Sequence, residues 1–83
     1  MIHKYQTDII NFLYIVEQSK FIKIFDKVSL VNTKLKKSLL SYHLNQLIKH
    51  NIIIKNKQNK GYPIYTLNDK IRLVKQEENF RYY

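Results

Sequence analysis

The chain has 83 residues and a formal charge of +9, from 15 Lys+Arg against 6 Asp+Glu, with no Cys, one Gly and one Pro. That length allows one small domain, and the lack of cysteine excludes disulfides, thiolate metal sites and cysteine nucleophiles. A core this small is marginal alone, so a partner subunit is the expected support, while a hydrophobic fraction of 45% argues against a disordered tail.

Met1 to Asp8 lacks the shape of a signal peptide. The longest nearly apolar run, Ile9 to Val16, is interrupted by Asn11 and is too short to span a bilayer. The sequence reads as a soluble, cytoplasmic protein with no membrane role.

The 6 acids are Asp8, Glu17, Asp26, Asp69, Glu77 and Glu78, and none lies between Lys27 and Asn68. That window carries Lys27, Lys34, Lys36, Lys37, Lys49, Lys55, Lys57 and Lys60. Such segregation points to a polyanionic partner, because a one-sided field repels itself unless opposite charge offsets it. A solvated lysine-rich surface is the plainer alternative, and the organisation of the window has to decide between them.

Taken in chain order, about Lys4 to Ser19 reads as a helix whose Tyr5, Ile9, Phe12, Leu13 and Val16 share one face. Ile10, Tyr14 and Ile15 fall outside that face, so the helix is either deeply buried or shared with a second chain. Phe21 to Phe25 alternates at Lys23 and predicts a short strand or extended connector. Asp26 then caps a short helix to about Asn32, with Val28 and Val31 inward. Asn32-Thr33-Lys34 is a polar turn, and Leu35 plugs the core after it.

The next helix runs from about Lys37 to His50. Leu40, Leu44, Leu47 and Ile48 mark its buried stripe, and Ser38, Ser41, Tyr42, Asn45 and Lys49 form the opposite face, with Lys37 in the first turn. Asn51 follows, a residue that tolerates the left-handed conformation ending helices. Ile52 to Asn56 is rich in β-branched residues and predicts a strand. Lys57-Gln58-Asn59-Lys60-Gly61 is a polar tip, and Tyr62 to Leu67 the return strand, with Tyr65 and Leu67 on one face. Pro63 near its start suits an edge strand. Asn68 or Asp69 caps a last helix over about 69–79, carrying Ile71, Val74, Leu73 and Phe80.

Helix, short helix, turn, longer helix, hairpin, helix is the order of a winged helix-turn-helix, an α+β fold with a two-stranded wing and terminal helices suited to dimerisation. The run Leu35 to Ile54, with Ser41-x-His43-Leu44 at its centre, resembles the recognition helix of ArsR-like winged-helix regulators, and Gly61-Tyr-Pro-Ile-Tyr-Thr-Leu67 resembles their wing. The resemblance spans roughly Phe25 to Leu67. Two positions depart from the pattern: Lys36 stands where a capping Ser is preferred, and Asn51 replaces the usual Gly. Without cysteine, and with no acid in the recognition helix, the metal-sensing sites of that family do not carry over, and no cofactor is expected.

The resemblance and the charge segregation together imply a double-stranded DNA-binding protein. A helix fits the major groove, its outer face reading base edges while flanking lysines meet phosphates. The candidate reading face is Lys36, Lys37, Ser38, Ser41, Tyr42, Asn45 and Lys49, with Ser and Asn able to bond base edges and Asn suited to adenine. Lys55, Lys57, Gln58, Asn59 and Lys60 would set the wing on the backbone or minor groove. Tyr5, Ile9, Phe12, Leu73 and Phe80 are the candidate interface of a homodimer. His43, beside the Leu40 and Leu47 stripe, reads as a half-buried histidine bonded to backbone rather than a pH or metal switch. His50 lies two turns on and His3 is isolated in sequence, so no metal site is expected. No catalytic constellation lies in the basic window, and an enzyme is the weakest reading. The expected task is transcriptional repression. A plasmid or phage partition adaptor with a partner protein, a replication accessory protein, and a protein-interaction winged helix are the alternatives.

Overall fold

Seven regular elements follow one another in the computed structural model, which describes residues 3–58 and 61–81, with side chains to position 75. They are α1 (Lys4–Val16), β1 (Gln18–Lys20), α2 (Phe21–Val31), α3 (Lys37–Lys49), β2 (Ile53–Asn56), β3 (Ile64–Leu67) and α4 (Asp69–Arg81). The sheet is antiparallel and three-stranded in the order β1-β3-β2. The expected wing is therefore joined by a strand that the sequence reading did not place, and the return strand β3 is central rather than an edge. Pro63 is compatible with this because β3 starts one residue after it, at Ile64, so its missing N–H costs no ladder bond.

The expected strand over Phe21 to Phe25 is helix. Phe21, Ile24, Phe25 and Val28 recur at helical spacing and turn inward, with Ile24 and Val28 buried. The extended segment lies just before it, where buried Ser19 is flanked by exposed Gln18 and Lys20 and faces Tyr65 across the ladder. Asp26 is thus no cap but an exposed residue within α2, and Val31, expected inward, is exposed. Helix α1 stops at Val16 rather than Ser19, because Glu17 turns the chain at φ 72°.

The core gathers Ile9, Ile10 and Leu13 of α1, Ile24 and Val28 of α2, Leu35 of the turn, Leu40, Leu44 and Leu47 of α3, and Ile53, Tyr65 and Leu67 of the sheet. Ile10 belongs to this core despite lying outside the expected face, whereas Ile15 stays exposed. The expected turn at Asn32 to Lys34 and the plug at Leu35 are both present, with the Leu35 N–H donating to the Asn32 carbonyl at 2.9 Å.

Local hydrogen bonds close both ends of the β2–β3 hairpin. Asn51 adopts φ 60°, and the Ile52 N–H returns to the Leu47 carbonyl at 2.9 Å, which sends the chain from α3 straight into β2. At the far end, Asn68 caps α4 by accepting the Lys70 N–H at 3.0 Å. Arg72 then donates to the carbonyls of Tyr14, Leu13 and Glu17 at the end of α1, the Leu13 carbonyl also accepting the Glu17 N–H at 2.9 Å. Among the described residues no helix is long and apolar enough to cross a membrane.

Candidate nucleic-acid interface

Helix α3 buries Leu40, His43, Leu44 and Leu47 and turns every candidate reading residue outward. Lys36, Lys37, Ser38, Ser41, Tyr42, Asn45 and Lys49 are all exposed. The division follows from the helical period: side chains three and four apart share a face, so a stripe of leucines on one side leaves the intervening polar residues on the other. Lys36 precedes the helix without a side-chain cap bond, as its replacement of a capping Ser implies. Lys37 in the first turn lies with its Nζ 5.7 Å from the centre of the Phe25 ring of α2. Lys49 stands in the last turn, where a cation is favoured by the helix dipole.

The hairpin carries the second part. Lys55 pairs with Tyr65, so it shares the face of Ile53, Tyr65 and Leu67 while its own side chain stays exposed. Its Nζ lies 6.0 Å from the Tyr65 ring centre, and burial pushes the Tyr65 hydroxyl pKa up. Lys57 and Gln58 are exposed beyond the strand, and the wing candidates Asn59 and Lys60 lie outside the described residues. Gly61 turns the chain at φ 97°, a conformation open to glycine at little cost. At the tip end of the hairpin strands, where Lys20 of β1 pairs with Ile64, the Lys20 Nζ lies 6.0 Å from the ring centre of exposed Tyr62. Neither residue stood among the candidates, because the third strand that brings Lys20 to the hairpin was not expected. Not every cation of the basic window joins this surface. Lys27 projects with Lys23, Asp26 and Leu30 from the side of α2 opposite Ile24 and Val28, beside Phe12, Ile15 and Val16, where they line a groove of about 410 Å³.

His43 differs from its expected role in its partner. It is 5% exposed and sits 3.0 Å, through Nδ1, from Gln6 Nε2 of α1 rather than bonding to backbone. Its ring stacks at 4.7 Å on His3 and meets Tyr5 edge-on at 5.5 Å and Tyr42 edge-on at 5.3 Å. Burial, and to a smaller degree the neighbouring His3, holds its pKa below 6.5. His3, isolated in sequence, also caps α1 through Nδ1, which accepts the Tyr5 N–H at 3.1 Å. Nothing in the sequence pairs position 6 with position 43, since that contact depends on how α1 crosses α3. Among the described residues no group of three His, Cys, Asp or Glu side chains could hold a metal ion.

Of the candidate interface residues, Ile9 is fully buried in the chain's own core and offers no surface to a second copy. Tyr5 packs on His43 and Phe12 is half-buried against the core, whereas Leu73 of α4 is exposed beside exposed Val74. The side chain of Phe80 lies outside the described residues.

Helices crossing over a small antiparallel sheet, with a hairpin following the third helix, define the winged-helix class. Two solved structures share the arrangement. The Zα domain of PKZ from Carassius auratus, in complex with Z-DNA, is 25% identical over 78% of this chain and 94% of its own, with a TM-score of 0.64. The reduced form of the transcriptional regulator YodB from B. subtilis is similar in fold, 21% identical over 93% of this chain and 76% of its own, with a TM-score of 0.72. No protein-family model matches the chain, and no curated protein is similar to it in sequence.

Proposed function

We propose that this winged helix binds double-stranded DNA and acts as a homodimeric transcriptional repressor of the ArsR-like kind, with α3 in the major groove and the wing on the backbone or minor groove. The observation that carries the reading is the outer face of α3. Seven candidate residues, Lys36, Lys37, Ser38, Ser41, Tyr42, Asn45 and Lys49, are exposed together on one helix and its entry, with lysines at both ends and hydrogen-bonding side chains between. Charged ends meet phosphates and set position, while the middle meets base edges. A similar fold in complex with Z-DNA and a similar fold in a transcriptional regulator support the class. Exposed Leu73 and Val74 on α4 support association through the terminal helix, which would set two copies of α3 on a two-fold repeated site.

The test is a titration of the chain into two labelled duplexes, one of mixed sequence in the right-handed form and one of alternating C·G steps held left-handed by base modification. Tighter binding to the right-handed duplex is the expected result. Preference for the left-handed duplex would move the reading to recognition of helix shape. Binding to neither would remove DNA as the partner. Footprinting on the gene's own upstream DNA then separates repression, which protects one operator, from partition, which protects an array of repeats.

A further inference from the structure

Tyr42 is unlike its neighbours on the outer side of α3. Among serines, an asparagine and lysines it presents an aromatic ring that is 56% exposed. Ordering an exposed ring costs side-chain entropy unless something holds it. Here the ring meets His43 edge-on at 5.3 Å and 75°. His43 is in turn clamped by Gln6 at 3.0 Å and by the rings of His3 and Tyr5. The exposed ring is therefore the last member of a row of aromatic contacts anchored in the α1–α3 junction. Asn45 follows three positions later, so its side chain lies next to Tyr42 on the same side of the helix.

We infer that Tyr42 and Asn45 together read an A·T base pair, Asn45 bonding the adenine edge while the Tyr42 ring covers the thymine methyl group. The inference rests on the DNA-binding reading above and specifies the base pair taken by the same face. An asparagine amide offers one donor and one acceptor, the complement of adenine N7 and the N6 amino group in the major groove. The thymine of that pair carries the only methyl group on the groove floor, and an apolar surface held beside the amide is what recognises it. The two features lie on one base pair, and the two side chains lie side by side. Ser38 and Ser41 bond either donors or acceptors and impose no such choice. Lys37 and Lys49 lie toward the two ends of the helix, where phosphates run.

The experiment uses the whole chain and fluorescence anisotropy on three labelled duplexes of one A·T-rich sequence. The first is unmodified, the second carries deoxyuridine for every thymidine, and the third carries 7-deaza-adenine for every adenine. Uracil keeps all the hydrogen bonds of thymine and lacks only the methyl group. Wild type should bind the uracil duplex about fourfold more weakly per methyl group contacted, and the 7-deaza duplex about fivefold more weakly. Tyr42→Phe should keep the difference between thymine and uracil, and Tyr42→Ala should abolish it. Asn45→Ala should bind the adenine and 7-deaza duplexes alike. Both side chains are exposed, so the variants should melt as wild type does, and melting is recorded alongside. Equal wild-type affinity for the thymine and uracil duplexes, or a difference that survives in Tyr42→Ala, overturns the inference and leaves DNA binding standing. Absence of binding to all three duplexes overturns both.

Discussion

Asn32 closes α2 and is only 6% exposed, yet its side chain is fully used. Its Oδ1 accepts from Lys4 Nζ at 3.1 Å, and its Nδ2 donates to Asp8 Oδ2 and to the Val28 carbonyl, both at 2.9 Å. One amide thus ties the start of α1 to the end of α2 and gives the helix-turn-helix its entry angle. Removing it takes the Asp8 carboxylate's donor and the Lys4 ammonium's acceptor, while the Val28 carbonyl keeps the Asn32 N–H at 3.1 Å, and a lost buried partner costs roughly 1–3 kcal/mol. Asn32→Ala should lower the urea midpoint accordingly with an unchanged denaturant slope; an unchanged midpoint would mean that water replaces the amide fully. The polar turn here was legible in Asn-Thr-Lys, but the bonds to Lys4 and Asp8 were not, since those partners lie far along the chain on α1.

His43 gives the molecule a pH dependence whose sign is set by burial. Because the fold holds its pKa below 6.5, the unfolded chain takes up the proton first as acid is added. Stability is therefore full above pH 6.5 and falls as pH drops through the folded pKa. Melting temperature should decline over that window in wild type and decline less in His43→Gln, which retains a polar group facing Gln6. Melting curves of the two proteins across the acid range read this directly, and parallel declines would assign the effect to other groups.

At the scale of elements, the ends of α1 show how position is enforced. Glu17 sits at φ 72° and ψ −47°, a region that strains a residue bearing Cβ by roughly 1–3 kcal/mol. The turn is needed because the chain must reverse at once into β1. Arg72 stabilises the same corner from α4 through carbonyls alone, so no Glu17 side-chain bond is part of it. Glu17→Gly should then raise the melting temperature, against the usual cost of glycine; a lower value would show that chain entropy outweighs the relief of strain. The same corner explains what the sequence concealed. A three-residue strand has too few positions to display a two-residue period, and Gln-Ser-Lys offers no β-branched side chain. Its pairing comes from β3, whose own alternation at Tyr65 and Leu67 was plain. Conversely, the extent of α3 was readable almost to the residue, because Leu40, Leu44 and Leu47 repeat at helical spacing between Lys37 and the left-handed Asn51, although Ile48, expected in the stripe, is half-buried and His43 takes the fourth buried place.

Over the whole molecule, charge is the property with the longest reach. If about six phosphates are neutralised by the two lysine-bearing elements, log affinity falls with log salt at a slope near −5. Replacing Lys55 and Lys57 of the wing by glutamine should bring that slope about 1.8 closer to zero, while leaving the thymine preference of α3 unchanged. Slopes that coincide for wild type and the double variant would place the wing off the duplex. Lys27, in the groove beside Phe12, Ile15 and Val16, should contribute nothing to the slope. The basic window is thus a property of the sequence, whereas its division between two surfaces is a property of the packing.

What the amino-acid order determined by itself is local and periodic: the extent of α3, its leucine stripe and polar face, the turn before it, the hairpin after it and the one-sided charge. Each depends on side chains a few positions apart, whose geometry the backbone dictates. What only the tertiary structure decided is everything that joins distant segments. The third strand at Gln18 to Lys20, the burial of Ile9 and Ile10, the Gln6–His43 bond and the clamp of Arg72 on α1 all arise from packing between elements. No local period encodes such contacts, because they exist only once the core has closed and every buried polar group has had to find a partner.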